Sequence, residues 1–271
     1  MIPISIVIIT KNEAAVIVDC VKAAKLISDD VIIMDNGSKD GTQALARAHG
    51  CKVYVVNWVG YGTNKNEGIA LAKHDWILGL DADEVVDAEL INSVKQLNFD
   101  DPQTVYDIKY HSYFGKKRIK FGFWGRDHHI RIFNRKVVRW SDSKVHETLL
   151  LPKQVKVKKI NGHLQHYSVC DKNECIAKAI RYANLSAESY FRDGRRTTFV
   201  NLYISPCFAF FMNYIFFLGI LDGKEGLEIS KTIFKNKWLK YRFLKMKISG
   251  KMGLQSGRSL SVINRLSIRN G

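Results

Sequence analysis

The amino-acid sequence predicts an α/β fold: a mostly parallel central sheet with a smaller antiparallel extension, followed by a C-terminal helical region. Apolar runs of strand length alternate with helix-like segments through the first hundred residues. Strands that are apolar along their whole length are typical of a parallel sheet covered by helices on both faces. Shorter strand-like runs follow, and a helical pattern returns from residue 171. We therefore expect one α/β domain at 1–168 and a helical region at 169–271.

The elements of the α/β domain follow one another regularly. Strands and helices alternate, in order, at 4–9, 16–24, 31–34, 40–48, 52–56, 64–72 and 76–80. Right-handed crossovers between such parallel strands would produce a Rossmann-like half. Further strand-like runs, separated by basic and glycine-containing turns, occur at 105–110, 129–133, 137–140 and 155–160. These short runs favour a partly antiparallel continuation of the same sheet.

The helical region contains an apolar segment at 199–221 that carries no charged residue and is long enough to cross a bilayer. Because Asn201, Pro206 and Asn213 interrupt it, we expect a broken amphipathic segment lying in a membrane surface, with a buried core helix as the alternative. The tail at 229–271 has no acidic residue and many Lys and Arg. Such a tail is typical of binding to anionic headgroups, with a solvated helix face as the alternative.

The whole chain is basic, with 42 Lys and Arg against 26 Asp and Glu and a formal charge of +16. This charge indicates an anionic partner: nucleic acid, a nucleotide-sugar or an anionic membrane. No recognisable nucleic-acid motif accompanies it, so we expect no nucleic-acid partner. The five cysteines form no Cys-x-x-Cys pair, which indicates a reducing compartment without structural disulfides or zinc. The N-terminus lacks the basic region of a signal peptide.

Two aspartates spaced one apart, Asp81 and Asp83, follow the predicted strand at 76–80. Ligands of α/β sheets bind at the carboxyl ends of strands, so both carboxylates could reach one divalent cation. Mg²⁺ or Mn²⁺, held by one or two carboxylates with water and substrate phosphate, is the usual arrangement in phosphate-handling sites. Aspartate is also common in turns and helix caps, so this short pattern depends on its context.

Three polar strings supply that context, at 10–13, 35–42 and 60–68. Small polar groups ahead of a helix can bind a nucleotide, although Thr10 or Asn12 could instead cap that helix. Asp35, at the end of the second strand, could accept hydrogen bonds from a uracil N–H or from ribose hydroxyls. Lys65 or Asn66 could face the nucleobase or the diphosphate.

In this order, the strings resemble those of family 2 glycosyltransferases with the GT-A fold, and more narrowly the bacterial lipopolysaccharide core β-1,4-glucosyltransferase group. The group's strings are matched by Thr-Lys-Asn-Glu at 10–13, Asp-x-x-Ser-x-Asp-Gly-Thr at 35–42, Trp-x-Gly-Tyr-Gly with Lys-Asn at 58–66 and Leu-Asp-Ala-Asp-Glu at 80–84. Strings at 145–147, 163–167 and 221–226 also look like the group. The resemblance spans nearly the whole chain, although the last forty residues are less typical.

The resemblance implies an inverting, metal-dependent transfer of a hexose from a UDP-sugar, with UDP-glucose preferred, to the heptose region of the lipopolysaccharide inner core. It divides the α/β domain into a donor half at 1–100 and an acceptor half at 101–168. Its donor-binding residues are Thr10, Asn12, Glu13, Asp35, Lys65, Asn66, Asp81 and Ala82. Asp83 is then the principal ligand of Mg²⁺ or Mn²⁺, with Asp81 nearer the ribose. We expect His163 or His166 to complete the metal shell, with a structural hydrogen bond as the alternative for each.

Inversion needs a base that deprotonates the acceptor hydroxyl. We expect Glu147 to be that base and Asp127 to be the second candidate; a surface glutamate paired with a nearby lysine is the alternative for Glu147. Aromatic faces stack on sugars and Arg binds phosphate through its fork of N–H groups. The residues expected to bind the acceptor, an anionic phosphorylated glycolipid, are therefore Lys117, Arg118, Trp124 and Arg126.

The expected location is the cytoplasmic face of the bacterial inner membrane, as a peripheral protein. Two other functions fit the residues. The first is a glycosyltransferase for capsule, teichoic acid or a protein O-linked glycan. The second is a non-catalytic basic protein that binds membrane or nucleic acid and would have no affinity for UDP.

Overall fold

The computed structural model describes residues 2–142, 147–169 and 171–250. The chain forms two compact units, the first made of Met1–Cys175 with Phe211–Ser230 and the second of Ile176–Phe210 with Lys231–Gly271. We expected one boundary, after residue 168. The chain instead leaves the first unit after Cys175, returns to it at Phe211 and leaves it again after Ser230.

The first unit is built on one large mixed sheet. Its elements within the first hundred residues are β1 (Ile4–Thr10), α1 (Ile17–Lys25), β2 (Val31–Asp35), α2 (Thr42–Ala48), β3 (Lys52–Val55), α3 (Tyr61–Ala70), β4 (Trp76–Asp81), β5 (Glu84–Val86) and α4 (Ala88–Lys95). There follow β6 (Thr104–Phe114), β7 (Lys117–Arg118), a 3₁₀ turn (Trp124–Arg126), β8 (His128–Asn134), β9 (Arg139–Trp140), β10 (Leu149–Leu150) and β11 (Lys156–Val169). Among the described residues the main sheet has the order β3-β2-β1-β4-β8-β6-β11-β5, with β7 on β6.

The parallel half of this sheet is the one that the sequence predicts. β1 lies between β2 and β4 and is parallel to both, and β2 is parallel to β3. Successive side chains of a strand point to opposite faces. Ile6 and Ile8 accordingly belong to one buried cluster, and Val7 and Ile9 belong to another. Burial on both faces explains why the run is apolar at every position.

The second half of the sheet confirms the expected antiparallel extension but differs in detail. β8 is antiparallel to both β4 and β6, whereas the long β11 is parallel to β6 and antiparallel to β5. No sequence pattern predicted β5 or α4. α4 has a clear start, because the Asp87 carboxylate accepts a hydrogen bond from the Leu90 N–H at 2.8 Å. The strand expected at 137–140 is only the two residues of β9.

The remaining described elements are helical. They are α5 (Lys172–Arg192), a π-helical turn (Val200–Ile204), α6 (Ser205–Phe211), a second π-helical turn (Met212–Phe216), a 3₁₀ turn (Gly219–Asp222) and α7 (Gly223–Ile248). The second unit has its own core, made of Ala183, Ala187, Leu239, Phe243 and Leu244. Within the described residues no single helix is long and apolar enough to cross a bilayer; the bent pair Val200–Phe216 with Gly219–Ile248 meets that test by length and composition only. The tail at 251–271 lies outside the described residues.

Candidate active site

The carboxyl ends of β1 and β2 place three polar side chains side by side. Thr10 of β1 is the register partner of Asp35 of β2, and Asn36 follows directly. The Asp35 carboxylate is fully buried, and its Oδ1 accepts hydrogen bonds from the N–H groups of Gly37 at 3.0 Å and Ser38 at 2.8 Å. Thr10 Oγ1, Asp35 Oδ2 and Asn36 Nδ2 are buried without a hydrogen-bond partner among the described residues. Native structures rarely leave buried polar atoms unpaired, so these three indicate a ligand site.

The segment at 35–42 also forms hydrogen bonds to the loop that follows β1. Ser38 Oγ accepts a hydrogen bond from the Asn12 N–H at 2.8 Å, and Thr42 Oγ1 accepts one from the Glu13 N–H at 2.9 Å. Because α1 begins only at Ile17, neither Thr10 nor Asn12 caps it. The Asn12 backbone belongs to a link between two loops, beside the unpaired atoms.

Lys65 of α3 joins two parts of the site. Its buried ammonium lies 3.3 Å from Asp81 Oδ1, 3.0 Å from Glu147 Oε1 and 4.4 Å from the centre of the Trp140 ring. Glu147 thus has the lysine partner that the alternative interpretation describes. Its neighbours Val145 and His146 lie outside the described residues. Asn66 donates to the Trp140 carbonyl at 2.9 Å and accepts from the Trp140 N–H at 3.1 Å, so this side chain holds β9 beside α3.

Arg131 of β8 is a buried cation that the sequence analysis missed. Its Nη2 lies 3.1 Å from Asp81 Oδ2 and also contacts Glu84 Oε1. Glu84, which is 1% exposed, accepts a further hydrogen bond from the Tyr110 hydroxyl at 2.7 Å and one from the Asp81 N–H at 3.0 Å. A buried arginine needs carboxylates as partners, and Glu84, directly after Asp83 in the sequence, was the signal that could have indicated one.

The two carboxylates of this network respond to their surroundings in opposite directions. Burial opposes ionisation of Asp81, but the positive charges of Lys65 and Arg131 hold its pKa well below the usual range. Burial dominates at Glu84 and, with the nearby charge of Asp81, raises its pKa despite Arg131. Asp81 is therefore an ionised carboxylate held between two cations.

Asp83 lies on the turn after β4 and faces His166 of β11. The Asp83 Oδ2 to His166 Nε2 distance is 3.5 Å. Burial works against the charged imidazole, but the hydrogen bond to Asp83 and the surrounding carboxylates raise the pKa of His166. One carboxylate oxygen and one imidazole nitrogen, with the remaining positions open to phosphate and water, form a donor set that fits Mn²⁺ or Mg²⁺.

His163 does not belong to the Asp83–His166 pair. Residues three apart on a strand point to opposite faces, so the structure brings His166, and not His163, to Asp83. His163 Nδ1 lies 3.3 Å from Asp87 Oδ2, and its ring stacks on His111 with centroids 3.6 Å apart. These three side chains bring ligand atoms within 4.8 Å of one another, but Arg118 already contacts His111 Nε2 with its positive charge.

Asp127, the second candidate base, precedes β8. Its Oδ1 lies 2.9 Å from His129 Nε2, and this hydrogen bond lowers the Asp127 pKa although burial opposes it. The His129 ring lies 5.0 Å from that of Tyr110, which in turn lies 5.5 Å from that of His166. Glu147 and Asp81 are thus both within ion-pair distance of the Lys65 ammonium. Between Asp127 and Asp83 lie the neighbouring rings of His129, Tyr110 and His166.

The comparisons with known proteins agree with this arrangement. The model of the family described as Glycosyl transferase family 2 matches residues 5–148. This chain belongs to glycosyltransferase family 2. It is 31% identical over 235 residues to an uncharacterized glycosyltransferase of Rickettsia typhi, covering 81% of this chain and 80% of that one. The family and the α/β fold of GT-A type that the motifs predict are thereby confirmed.

Two further proteins are more distantly similar to this glycosyltransferase. The lipopolysaccharide core biosynthesis glycosyltransferase LpsC of Rhizobium meliloti is 26% identical over 224 residues, covering 79% of this chain and 81% of LpsC. The structure of glucosyl-3-phosphoglycerate synthase from Mycobacterium tuberculosis with Mn²⁺, UDP and glucosyl-3-phosphoglycerate is 21% identical, covers 42% of this chain and 44% of that one, and has a TM-score of 0.34.

The loop at 116–126 of the glycosyltransferase contains the four residues expected to bind the acceptor. All four contact other parts of the first unit: Lys117 the Asp222 carbonyl and Glu225, Arg118 the ring of His111, Trp124 the ring of Phe114, and Arg126 the ring of Phe217. Their role in acceptor binding stays a prediction. The contacts show that helical residues after 210 hold this loop, which no sequence pattern indicated.

Proposed function

We propose that this glycosyltransferase moves a hexose, preferably glucose, from a UDP-sugar to the heptose region of the lipopolysaccharide inner core, with inversion. The observation that best supports a UDP-sugar as the substrate is the set of unpaired buried atoms of Thr10, Asp35 and Asn36. The edge of uracil presents an N–H donor between two carbonyl acceptors. A carboxylate oxygen that accepts and an amide nitrogen that donates match that edge.

Asp83 and His166 would hold the divalent cation of this site. When bound, Mg²⁺ or Mn²⁺ neutralises charge on the diphosphate leaving group and assists its departure. Lys65 and Arg131 keep Asp81 ionised, and a hydrogen bond from Arg131 holds its Oδ2, so this carboxylate presents a positioned charge to the donor side. Preorganised charges of this kind need no rearrangement during the reaction.

The acceptor hydroxyl must lose its proton to a carboxylate on the face opposite the leaving group. Glu147 is our proposed base and Asp127 the second candidate; each lies next to a cationic or imidazole group at hydrogen-bond distance. For Glu147, the Lys65 ammonium orients the carboxylate. For Asp127, the His129 ring does so.

The similarity to LpsC supports the acceptor class, because that relative is named for lipopolysaccharide core biosynthesis. The acceptor is then an anionic glycolipid, and the protein works as a peripheral protein at the cytoplasmic face of the bacterial inner membrane. The exposed apolar side chains of 199–221, among them Phe199, Phe208 and Phe216, support contact with lipid.

A thermal-shift titration with UDP and MnCl₂ tests the donor site, because a ligand that binds only the folded protein raises its melting temperature. At a ligand concentration of about 100 times Kd the stabilisation is about 2.7 kcal/mol. We expect Asp35→Asn to lose most of the UDP shift and Asp83→Asn to lose the Mn²⁺-dependent part. Asp29→Asn, at an exposed aspartate, is the matched control. An unchanged shift in both site variants would show that the donor assignment is wrong.

Transfer assays with UDP-glucose and truncated lipopolysaccharide acceptors test the reaction. Glu147→Gln should lower kcat by about 10²–10⁴-fold while the UDP–Mn²⁺ shift persists. If Asp127→Asn has this effect and Glu147→Gln does not, Asp127 is the base. Transfer only to capsule, teichoic acid or protein acceptors would show that the proposed acceptor is wrong. The assignment of the protein as a glycosyltransferase would be unaffected.

A further inference from the structure

The string at 221–226 has a physical role that the reaction chemistry does not explain. Asp222 is 3% exposed, and its carboxylate accepts hydrogen bonds from the N–H groups of Lys120 at 3.2 Å and Phe121 at 2.9 Å. Its own carbonyl accepts one from Lys117 Nζ at 2.6 Å. A buried carboxylate that receives two backbone N–H groups is a strong, charge-assisted contact. Asp222 therefore fixes the backbone of the loop at 116–126.

Asn213 makes a second connection to the same loop. This side chain is 1% exposed, accepts a hydrogen bond from the Phe123 N–H at 2.8 Å and donates one to Ser230 Oγ at 2.7 Å. Gly122, between the two anchored parts of the loop, has φ of +67°, and a Cβ there would lie 2.7 Å from Asn213 Oδ1. Only glycine tolerates both conditions, so the loop and the helical turn fit at close range.

The two segments joined by these contacts, 116–126 and 211–222, also expose apolar side chains. Phe216 is 69% exposed and Leu221 is 60% exposed, and Phe123 on the loop is exposed as well. Phe123 packs against Phe217 with ring centroids 5.1 Å apart. The exposed basic side chains of the loop are Lys116, Lys117, Arg118, Lys120 and Arg126. Exposed aromatic and aliphatic groups beside several cations match a bilayer with anionic headgroups.

We propose that residues 116–126 and 211–222 form one docking surface for an anionic lipid bilayer, with Asp222 and Asn213 as its positioning residues. Contact of the apolar turn with lipid would then set the position of the loop that carries Trp124 and Arg126. The link to acceptor binding rests on the proposed function; the docking surface itself does not. Both segments belong to the first unit.

Trypsin cleavage within the loop in the presence of vesicles tests this surface, because the loop offers five cleavage sites. Phosphatidylglycerol vesicles should slow cleavage in the wild-type chain by about tenfold when nine-tenths of it is bound, since cleavage follows the accessible population. Phosphatidylcholine vesicles should protect less. Phe216→Ser should weaken vesicle binding. A wild-type chain that binds no vesicles, or binds them with the loop still cut at the lipid-free rate, would overturn the proposal.

Asp222→Asn tests the positioning role. This variant should still sediment with vesicles and keep the wild-type UDP–Mn²⁺ shift, yet its loop should be cut nearly as fast as without lipid. In transfer assays its KM for the acceptor should rise about tenfold to a hundredfold, with KM for the UDP-sugar unchanged. Protection equal to wild type would contradict the role of Asp222.

If Asp222→Asn lacks the UDP–Mn²⁺ shift that wild type shows, Glu225→Gln decides instead. Glu225 pairs with Lys117 at 2.7 Å at the exposed edge of the same contact. Partial loss of protection would support the proposal, and full protection would overturn it. A dimer that vesicles do not dissociate would show that a second copy covers the apolar turn. Wild-type protection without any UDP shift would defeat the proposed donor and reaction and leave the docking surface standing. A UDP shift without protection would defeat the docking surface and leave the proposed donor and reaction standing.

Discussion

Replacing Arg131 by Met would leave the Glu84 carboxylate buried without its cation. Removing one partner of a buried ion pair costs about 3–5 kcal/mol. Because Asp81 keeps Lys65 at 3.3 Å, only one carboxylate is left unpaired, and we expect the lower end of that range, about 3 kcal/mol. For a chain of this length the melting temperature should fall by about 10 °C.

The control is Lys136→Met, because Lys136 makes an ion pair with Asp75 at 2.6 Å from a side chain that is 71% exposed. An exposed pair contributes about 0–1 kcal/mol, so scanning fluorimetry should show a shift of at most about 3 °C. Adding Glu84→Gln to Arg131→Met removes the uncompensated charge and should recover about 1 kcal/mol or more. The reasoning fails if Arg131→Met costs no more than the control, or if the double variant loses the sum of the two single losses.

Two further predictions concern hydrogen bonds that hold together segments distant in the sequence. The Asp30 carboxylate accepts hydrogen bonds from Lys52 Nζ at 2.8 Å and Ser5 Oγ at 2.6 Å, and despite burial these lower its pKa. A lowered folded-state pKa means stability that is present above the unfolded value of about 3.9 and lost as the pH falls through the folded value. The melting temperature of Asp30→Asn should therefore lie well below wild type at pH 7, and the gap should narrow below about pH 4; a constant gap would exclude ionisation as the cause. Asn66→Ala leaves the buried N–H and carbonyl of Trp140 unpaired and should cost about 2–4 kcal/mol by the same thermal assay, and a loss under about 1 kcal/mol would contradict the bridging role.

The parallel half of the sheet was predictable from sequence because burial on both faces makes each strand apolar throughout. β1, β2 and β4 each appear as such a run, and the polar residues that end them mark the edge that carries the candidate ligand site. Local sequence patterns therefore place Asp35, Asp81 and Asp83 at this edge, whereas their roles in donor and metal binding come from the family resemblance and stay predictions.

The contacts that complete the site could not be predicted in the same way, because they join residues far apart in the chain. Arg131 reaches Glu84 across 47 positions and Asp81 across 50. β5 has only three residues, and it becomes a strand by pairing with β11. The alternation of side chains along β11 and its pairing with β5 decide which of His163 and His166 faces Asp83, and no local pattern indicated a strand of 14 residues here.

The return of residues 211–230 to the first unit determines how relatives of this enzyme can be recombined. A chain cut near residue 175 would keep every strand of the sheet but lose the acceptors for the backbone N–H groups of Lys120, Phe121 and Phe123. Exchanging the C-terminal part between two relatives would likewise bring in a foreign turn against a native loop. A successful chimera must therefore exchange 116–126 and 211–230 together. These two segments, although distant in the sequence, behave as a single unit of exchange.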